Sequence, residues 1–137
     1  MPLHRVEYRV LYGDTDQMGV VYYANYLRYF ELGRAEYLRA RGFTYREVEE
    51  SGIMMPVAEA GVKYHVPARY DDLIVVETSP DPLVRSGFRF TYRVLHKESD
   101  TLLVTGHTLH ACVNVETGRV CRPPKDIVTK VFLDTGR

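Results

Sequence analysis

The chain has 137 residues, 45% of them hydrophobic, which is enough for one domain built around a single core. Its 18 lysine and arginine residues balance 18 aspartate and glutamate residues, so no overall charge attracts nucleic acid or an anionic membrane. No stretch approaches the roughly 20 apolar residues of a membrane-spanning helix, and the first residues show no signal-peptide pattern. We therefore expect a cytoplasmic, single-domain protein, residues 1–137, that does not bind nucleic acid.

The first predicted elements are a strand and a long helix. Apolar and polar residues alternate over residues 5–12, which is typical of a half-buried strand. Over residues 23–41 the apolar positions follow a helical period, and Gly42 is placed to end the helix. A short second helix is predicted next, because Thr44 and Glu47 have the spacing of a capping box.

The remainder of the chain has the pattern of strands. Alternation over residues 57–66 ends at Pro67, and residues 70–72 predict a turn into the apolar run 73–78. Two more strands are predicted over 85–96 and 102–115, with a turn between them, and the prolines at 123 and 124 indicate a short terminal helix. Cys112 and Cys121 fit no zinc spacing and are predicted to be free thiols.

These elements together predict an α+β fold. One long helix with a broad apolar surface and about five antiparallel strands can bury their apolar faces if the sheet curls around the helix. Such a sheet leaves an edge strand unpaired, and long edges are commonly covered by pairing across a two-fold axis. We therefore predict a homodimer, with a homotetramer of two such dimers as the larger form.

The start of the long helix has no residue able to cap it. Val20, Val21 and Tyr22 lack the short polar side chains that accept hydrogen bonds from the first helical amides. The amides around Tyr22 and Tyr23 are therefore predicted to be free, at the positive end of the helix dipole. Amides in that position can stabilise an oxyanion.

Two carboxylates precede this helix start. Gly19 would let the chain turn sharply, so that Asp14 and Asp16 return to the same end of the helix. A carboxylate would then face an amide that polarises an electrophile. The alternative is that both acids are ordinary cap or turn residues.

The stretch YGDTDQMGVVYYANYLRYFELGRAEYLRARG, residues 12–42, strongly resembles the signature of hot-dog-fold acyl-CoA thioesterases. The family is that of 4-hydroxybenzoyl-CoA thioesterase, including the branch associated with the bacterial Tol-Pal system. The stretches YHVPARYDDLIVVET, RSGFRFTYRV and GHTLHACVNVETGRVCRPP resemble the family's later strands in order, so nearly the whole chain is covered. The resemblance implies a hot-dog fold, thioester hydrolysis and a site between two subunits; we expect no cofactor and no metal.

The resemblance also implies residue roles. The catalytic acid is the second aspartate of the motif, Asp16, and the amide that polarises the thioester carbonyl belongs to Tyr23, seven residues on. Asp16 could attack the thioester directly or activate water. Asp14 is expected to orient the loop. The Tol-Pal branch often has a histidine in place of Tyr23, a difference that leaves the backbone amide unchanged.

The substrate is less closely defined by the sequence. Tyr22, Tyr23 and Tyr26 gather at the helix start and predict a pocket for aromatic or short-to-medium acyl groups, unless the rings are simply core. The resemblance also makes Arg85, Ser86 and Arg89 candidates to contact the phosphates of coenzyme A, with a solvated strand face as the alternative. The predicted substrate-binding residues are Gly19, Val20, Val21, Tyr22, Tyr26, Arg85 and Ser86.

Other polar residues are weaker candidates. His107 and His110 are three apart on a predicted strand, so they face opposite sides and do not make a metal pair. Glu31 and Arg34 are three apart on the helix and are predicted to pair with each other, although Glu31 could instead line the site.

Two other function classes compete with a thioesterase. A hot-dog dehydratase or hydratase needs a base to move a carbon-bound proton, usually histidine, and residues 14–42 contain none. A non-catalytic acyl-CoA-binding module would have no reason to keep the whole stretch DTDQMGVVYYANY. Thioester hydrolysis is therefore the favoured prediction.

Overall fold

The computed structural model describes residues 3–81 and 87–132. The strands in these residues are β1 His4–Arg9, β2 Ile53–Met54, β3 Val57–Tyr64, β4 Leu73–Asp81, β5 Gly87–His96, β6 Leu102–Ala111 and β7 Val113–Asn114. The α-helices are α1 Asn25–Ala40, α2 Tyr45–Glu50 and α3 Lys125–Phe132, and a 3₁₀ turn covers Tyr12–Asp14.

Five of the strands form one antiparallel sheet in the order β1-β4-β5-β6-β3. Its register aligns Val6, Val76, Val94, Val104 and Tyr64 in one row across the sheet. The three central valines of this row are fully buried. The predicted α+β arrangement, with about five antiparallel strands and one long helix, is confirmed.

Helix α1 packs its aromatic face onto this sheet. The ring of Phe30 stacks on Tyr92 at a centroid distance of 4.2 Å, and Tyr26, Tyr29 and Tyr37 are buried with it. Gly33 permits the close approach, because a Cβ there would lie 2.4 Å from the Thr78 hydroxyl oxygen. The helix is shorter than the predicted 23–41.

The end of α1 and the start of α2 follow the sequence prediction. Gly42 has φ 95° and ends the first helix, a conformation that favours glycine. Thr44 and Glu47 form the predicted capping box, with the Glu47 amide donating to the Thr44 hydroxyl at 3.2 Å. The terminal helix α3 also lies where the two prolines indicated it.

Two strand boundaries differ from the prediction. Strand β1 ends at Arg9, not residue 12, because a carboxylate oxygen of Asp14 accepts the Leu11 amide and draws the chain into the 3₁₀ turn. The predicted strand 102–115 divides at Cys112, and its end pairs with β2 as a separate two-stranded sheet. Asn114 starts a turn there, since its side chain accepts the Glu116 amide.

Strand β3 has the alternation of a half-buried strand, yet most of it is exposed on both faces. It is the last strand of the sheet and pairs on one side only, with β6. The exposed fractions of Val57 and Tyr64 are 48% and 49%. An apolar edge of this length is the feature from which we predicted self-association.

None of the helices in the described residues is long and apolar enough to span a bilayer.

Candidate active site

The segment between β1 and α1 is a tight loop that returns on itself. Thr15 and Val21 form an antiparallel bridge, and the Asp16 amide donates to the Val20 carbonyl at 3.0 Å. Gly19 makes the turn with φ 80°, and its amide donates to the Asp16 carbonyl at 3.0 Å. The sharp turn predicted at Gly19 is confirmed.

Asp14 is fixed inside the protein by this loop and is 3% exposed. One of its carboxylate oxygens accepts from the Tyr8 hydroxyl at 2.7 Å, the Leu11 amide at 2.9 Å and the Tyr29 hydroxyl at 3.1 Å. These contacts agree with the expectation that Asp14 orients the loop.

The backbone of Asp14 continues this role at the start of α1. Its carbonyl accepts from the Tyr22 amide at 2.9 Å and from the Asn25 side-chain amide at 2.8 Å. The prediction that the Tyr22 amide is free is therefore wrong. The Tyr23 amide donates to no acceptor within residues 3–81 and 87–132, so it lies at the helix start with its donor available.

Asp16 is held more loosely than Asp14. It is half-buried, and its Oδ1 accepts from the Met18 amide at 2.9 Å. Within the described residues this is the hydrogen bond that its side chain makes, which leaves Oδ2 open. Asp16 lines an open cleft of about 590 Å³ together with Tyr12, Gly13, Thr15, Gln17, Gly19 and Tyr70.

Tyr23 lines a second, smaller cleft of about 190 Å³. The Tyr64 hydroxyl donates to the Tyr23 carbonyl at 3.0 Å, and the Tyr64 ring meets the Tyr26 ring edge-on at 5.6 Å. Tyr26 is 2% exposed, so most of its ring belongs to the core. The cleft is lined by Val20, Val21, Tyr23, Tyr26, Tyr64, His65, Val66 and Pro67.

The single chain thus places Asp16 and Tyr23 in two clefts, with Gly19 bordering the first and Val20 the second. Tyr22 lines neither cleft, but its ring lies 4.7 Å from the Tyr23 ring. A hydrogen bond to Tyr23 raises the pKa of Tyr22, and the charge of Asp16 raises it further. Arg85 and Ser86 lie outside the described residues.

Two tyrosines of the clefts were missed by the sequence analysis. Tyr64 was assigned to a strand face, and Tyr70 to a turn, where its ring meets Tyr12 edge-on at 5.7 Å. Both contacts join residues more than 40 positions apart, so local patterns do not reveal them. The available signal was an aromatic residue on each side of Pro67.

The predicted orientations of His107 and His110 are confirmed. His107 contacts the Glu59 carboxylate at 2.8 Å at the surface. His110 is 1% exposed, with its ring nitrogens on the Met55 carbonyl and the Thr108 hydroxyl, and burial lowers its pKa to about 4. In the part of the chain that the structure describes, no three potential metal ligands cluster.

The predicted pairing of Glu31 with Arg34 is wrong. Arg34 is turned inward and its Nε donates to the Tyr45 hydroxyl at 2.8 Å. Glu31 is exposed and lines grooves on both sides of α1. The helix lies so close to the sheet that Arg34 reaches buried phenols from β5 and α2 instead of its neighbour one turn away.

Comparisons with known proteins agree with this architecture. The chain matches the Thioesterase-like superfamily over residues 10–131. It is 34% identical over 128 residues to the acyl-CoA thioester hydrolase YbgC of Shigella flexneri, covering 93% of this chain and 95% of that protein. The crystal structure of DHNA-CoA thioesterase from Staphylococcus aureus superposes with TM-score 0.83 at 31% identity, over 89% of this chain and 81% of that one.

The 4-hydroxybenzoyl-CoA thioesterase structure superposes with TM-score 0.84, over 94% of this chain and 98% of that one. At 22% identity this likeness shows the fold alone, and it confirms the predicted hot-dog architecture. The family match covers most of the chain, from the end of β1 into α3. The chain therefore belongs to the Thioesterase-like superfamily and has its hot-dog fold.

Proposed function

We propose that this chain is an acyl-CoA thioester hydrolase in which Asp16 acts on a thioester whose carbonyl is polarised by the Tyr23 amide. The activity is supported by the family and by a relative named acyl-CoA thioester hydrolase that matches 93% of the chain. The observation that carries the site is the Tyr23 amide at the start of α1, seven residues after the Asp16 carboxylate. Among the described residues this amide has no acceptor and Oδ2 of Asp16 has no donor.

The reaction converts a thioester and water into a carboxylic acid and the thiol of coenzyme A. In one route an Asp16 oxygen adds to the thioester carbon, the thiolate leaves, and water hydrolyses the resulting anhydride. In the other, Asp16 removes a proton from water as the water adds. In both, the Tyr23 amide donates to the oxygen that becomes negative, aided by the dipole of α1.

The functional unit that we propose is a homodimer, with a homotetramer as the larger assembly. Strand β3 has an open edge, and its exposed Val57 and Tyr64 would be covered by a second copy. Tyr64 also lines the cleft of Tyr23. A partner on this edge would therefore enclose the substrate cleft and exclude water from it.

The proposed substrates are acyl-CoAs with aromatic or short-to-medium acyl groups. The cleft beside Tyr23 is small, about 190 Å³, and is lined by the rings of Tyr23, Tyr26 and Tyr64. The relative from Staphylococcus aureus is named for a DHNA-CoA substrate. Arg85 and Ser86 are our candidates for contacting the phosphates of coenzyme A. A cytoplasmic location is consistent with the two free cysteines.

Thiol release from a panel of acyl-CoAs tests the activity and the substrate class together. Benzoyl-CoA and hexanoyl-CoA should be hydrolysed with higher kcat/KM than palmitoyl-CoA. Each pocket contact that differs between the substrates should change the free energy of transition-state binding by roughly 1 to 3 kcal/mol. Equal or faster turnover of palmitoyl-CoA, below its micelle concentration, would refute the substrate class alone. Binding of acyl-CoA without any thiol release would identify a non-catalytic module instead.

Light scattering of the purified protein tests the assembly. The expected mass is that of two or four chains, and dilution into monomers should abolish turnover. A monomer that hydrolyses acyl-CoA at the full rate would contradict the proposed dimer while leaving the hydrolase assignment intact.

A further inference from the structure

Arg34 is a buried cation without a carboxylate partner among the described residues. It lies in the middle of α1, is 9% exposed, and donates its Nε to the Tyr45 hydroxyl. Tyr92 is the other phenol that bonds to it. A guanidinium carries five N–H donors and a full charge, and two neutral hydroxyls do not balance that charge. Removing such a cation from water is costly unless an anion accompanies it.

Arg34 is one of the residues that line an open cavity of about 260 Å³ between α1 and β3. Besides Arg34, the lining residues are Leu27, Arg28, Glu31, Val57, Ala60 and Thr108. The walls from Leu27, Val57 and Ala60 are apolar. Among the described residues Glu31 makes no ion pair with Arg34, and Arg28 Nη1 lies 3.9 Å from an Asp14 carboxylate oxygen. The cavity therefore has an apolar wall beside charged residues, with two cations, Arg28 and Arg34, against one carboxylate, Glu31.

This cavity and the cleft of Tyr23 share the same two walls. Tyr64 at the end of β3 lines the cleft, and Val57 and Ala60 of β3 line the cavity, while α1 supplies the facing side of both. Arg34 follows Tyr23 by eleven residues, roughly 16 Å along a helix axis. Because helical side chains lean toward the N-terminus, we expect its guanidinium to lie closer to the helix start than its Cα does.

We propose that Arg34 binds a carboxylate at the far end of the acyl group, so that dicarboxylic acyl-CoAs are preferred over monocarboxylic acyl-CoAs of the same chain length. The thioester carbonyl would lie at the Tyr23 amide and the methylene chain between Leu27 and Ala60. This inference rests on the proposed hydrolase function and narrows its substrate class.

Adipoyl-CoA and hexanoyl-CoA are the matched probes, since they differ in a terminal carboxylate against a methyl group at the same chain length. The intact protein should hydrolyse adipoyl-CoA with kcat/KM about tenfold or more above hexanoyl-CoA. Arg34→Gln should remove this preference through the KM for adipoyl-CoA, with hexanoyl-CoA hydrolysis retained. Arg39→Gln, which removes an exposed cation of α1 that does not line the cavity, is the control and should retain the preference.

The ratio of kcat/KM for adipoyl-CoA to kcat/KM for hexanoyl-CoA, measured on the wild type, decides the proposal even if Arg34→Gln does not fold. Equal kcat/KM for the two probes, or a preference for hexanoyl-CoA, would overturn it, as would a preference lost in Arg39→Gln and retained in Arg34→Gln. Any of these results would refute the carboxylate site at Arg34 but leave the proposed hydrolase function standing. Absence of thiol release from both probes would instead refute the hydrolase function on which the inference rests.

A different observation concerns the two cysteines. Cys112 and Cys121 lie side by side, with their sulfur atoms 3.6 Å apart and the Cys121 amide donating to the Cys112 carbonyl at 2.8 Å. The adjacent Val113 and Val120 form an antiparallel bridge. Opposed residues of such a ladder have Cα separations of about 5.5 Å, within the range that a disulfide spans.

We infer that these thiols form a reversible disulfide with a small disulfide oxidant such as oxidised glutathione. The more accessible Cys121 attacks first as its thiolate, releasing one glutathione thiol and leaving a mixed disulfide. The buried Cys112 then attacks the Cys121 sulfur, loses its proton and releases the second thiol. The product ties the end of β6 to the segment that leads into α3.

Mass spectrometry after incubation with oxidised glutathione tests this inference. The wild type should lose two hydrogens and gain resistance to proteolysis at α3, both reversed by dithiothreitol. Cys112→Ser should accumulate the glutathione adduct on Cys121, because no second thiol resolves it. A stable glutathione adduct on the wild type, or no reaction under conditions that oxidise a control dithiol peptide, would overturn it.

Discussion

Asp14 and Asp16 are separated by one residue but belong to two different kinds of environment. Asp14 is buried and accepts two phenol hydroxyls and a backbone amide with one carboxylate oxygen. Asp16 is half-buried beside an open cleft and accepts a single amide from its own turn. The same side-chain chemistry thus serves as a fixed anchor at one position and as an available reactant two residues later.

The difference shows how the loop is made rigid without occupying its reactive group. Asp14 ties β1, the loop and the start of α1 together, because its contacts come from Tyr8, Leu11, Tyr22, Asn25 and Tyr29. Asp16 is positioned by backbone bonds to Val20 and Gly19 and by the Met18 amide on its Oδ1, which leave Oδ2 without a partner among the described residues. Stability and reactivity are therefore expected to respond to different substitutions.

The largest expected effect is on turnover, from Asp16→Asn. The asparagine oxygen can still accept the Met18 amide, so the melting temperature should match the wild type, while kcat falls by about 10² to 10⁴ because the nucleophile or base is removed. Thiol-release kinetics and thermal unfolding check the two halves of this expectation. A well-folded variant with near wild-type turnover would refute the catalytic role.

Asp14→Asn is the matched substitution at the anchoring aspartate. We expect it to lower stability, whereas Asp16→Asn lowers turnover and leaves stability unchanged. One oxygen accepts all three donors, so the asparagine oxygen can replace it, but the negative charge that strengthens these bonds is lost. The amide group then takes the place of the oxygen that lies 3.9 Å from Arg28 Nη1, and the two changes should cost about 1 to 3 kcal/mol in the free energy of unfolding. Urea unfolding measures this loss. If Asp14→Asn kept full stability and Asp16→Asn lost it, the comparison between the two aspartates would be the wrong way round.

Gly19→Ala sharpens the account of the Asp16 turn. A non-glycine residue at φ 80° is strained by about 1 to 2 kcal/mol, although its Cβ would have room, with Arg69 Nη1 the nearest atom at 3.9 Å. We expect kcat/KM to fall several-fold as Asp16 is displaced. Gly13→Ala, in the same cleft but without a positive φ, is the control. It should behave as wild type in thiol-release kinetics and in thermal unfolding.

The smallest expected effect is the alkaline titration of the Asp14 anchor. Burial, with the nearby Asp14 carboxylate, raises the pKa of Tyr8 to about 12 and raises that of Tyr29 as well. A phenol whose pKa is raised on folding contributes stability below its unfolded pKa near 10 and loses it as pH rises toward the folded value. The free energy of unfolding should therefore decline between about pH 10 and 12.

For Tyr8 this loss should stay below about 1 kcal/mol, because solvent screens the group. The free energy of unfolding, measured for the wild type and for Tyr8→Phe between about pH 10 and 12, gives the contribution of Tyr8. It should decline less steeply with pH in the phenylalanine variant. A steeper decline in Tyr8→Phe would contradict the assigned anchor.

The order of the elements was determined largely by the sequence. Several local patterns revealed them, because each depends on neighbours within a few residues. They are the apolar run of β4, the alternation in β5, the helical period of α1, the glycine at position 42 and the Thr44–Glu47 capping box. The motif that carries Asp16, Gly19 and Tyr23 is also contiguous. Its resemblance to thioesterases could therefore be recognised without coordinates.

The tertiary structure alone decided which polar groups have hydrogen-bond partners and which remain available at the clefts. The Tyr22 amide is consumed by the Asp14 carbonyl, Arg34 turns inward to Tyr45, and Tyr64 joins the cleft of Tyr23 from 41 residues away. Each of these contacts depends on how closely α1 lies against the loop and the sheet. A residue's own neighbours in the sequence do not specify that distance, because it is set by the packing of the whole core.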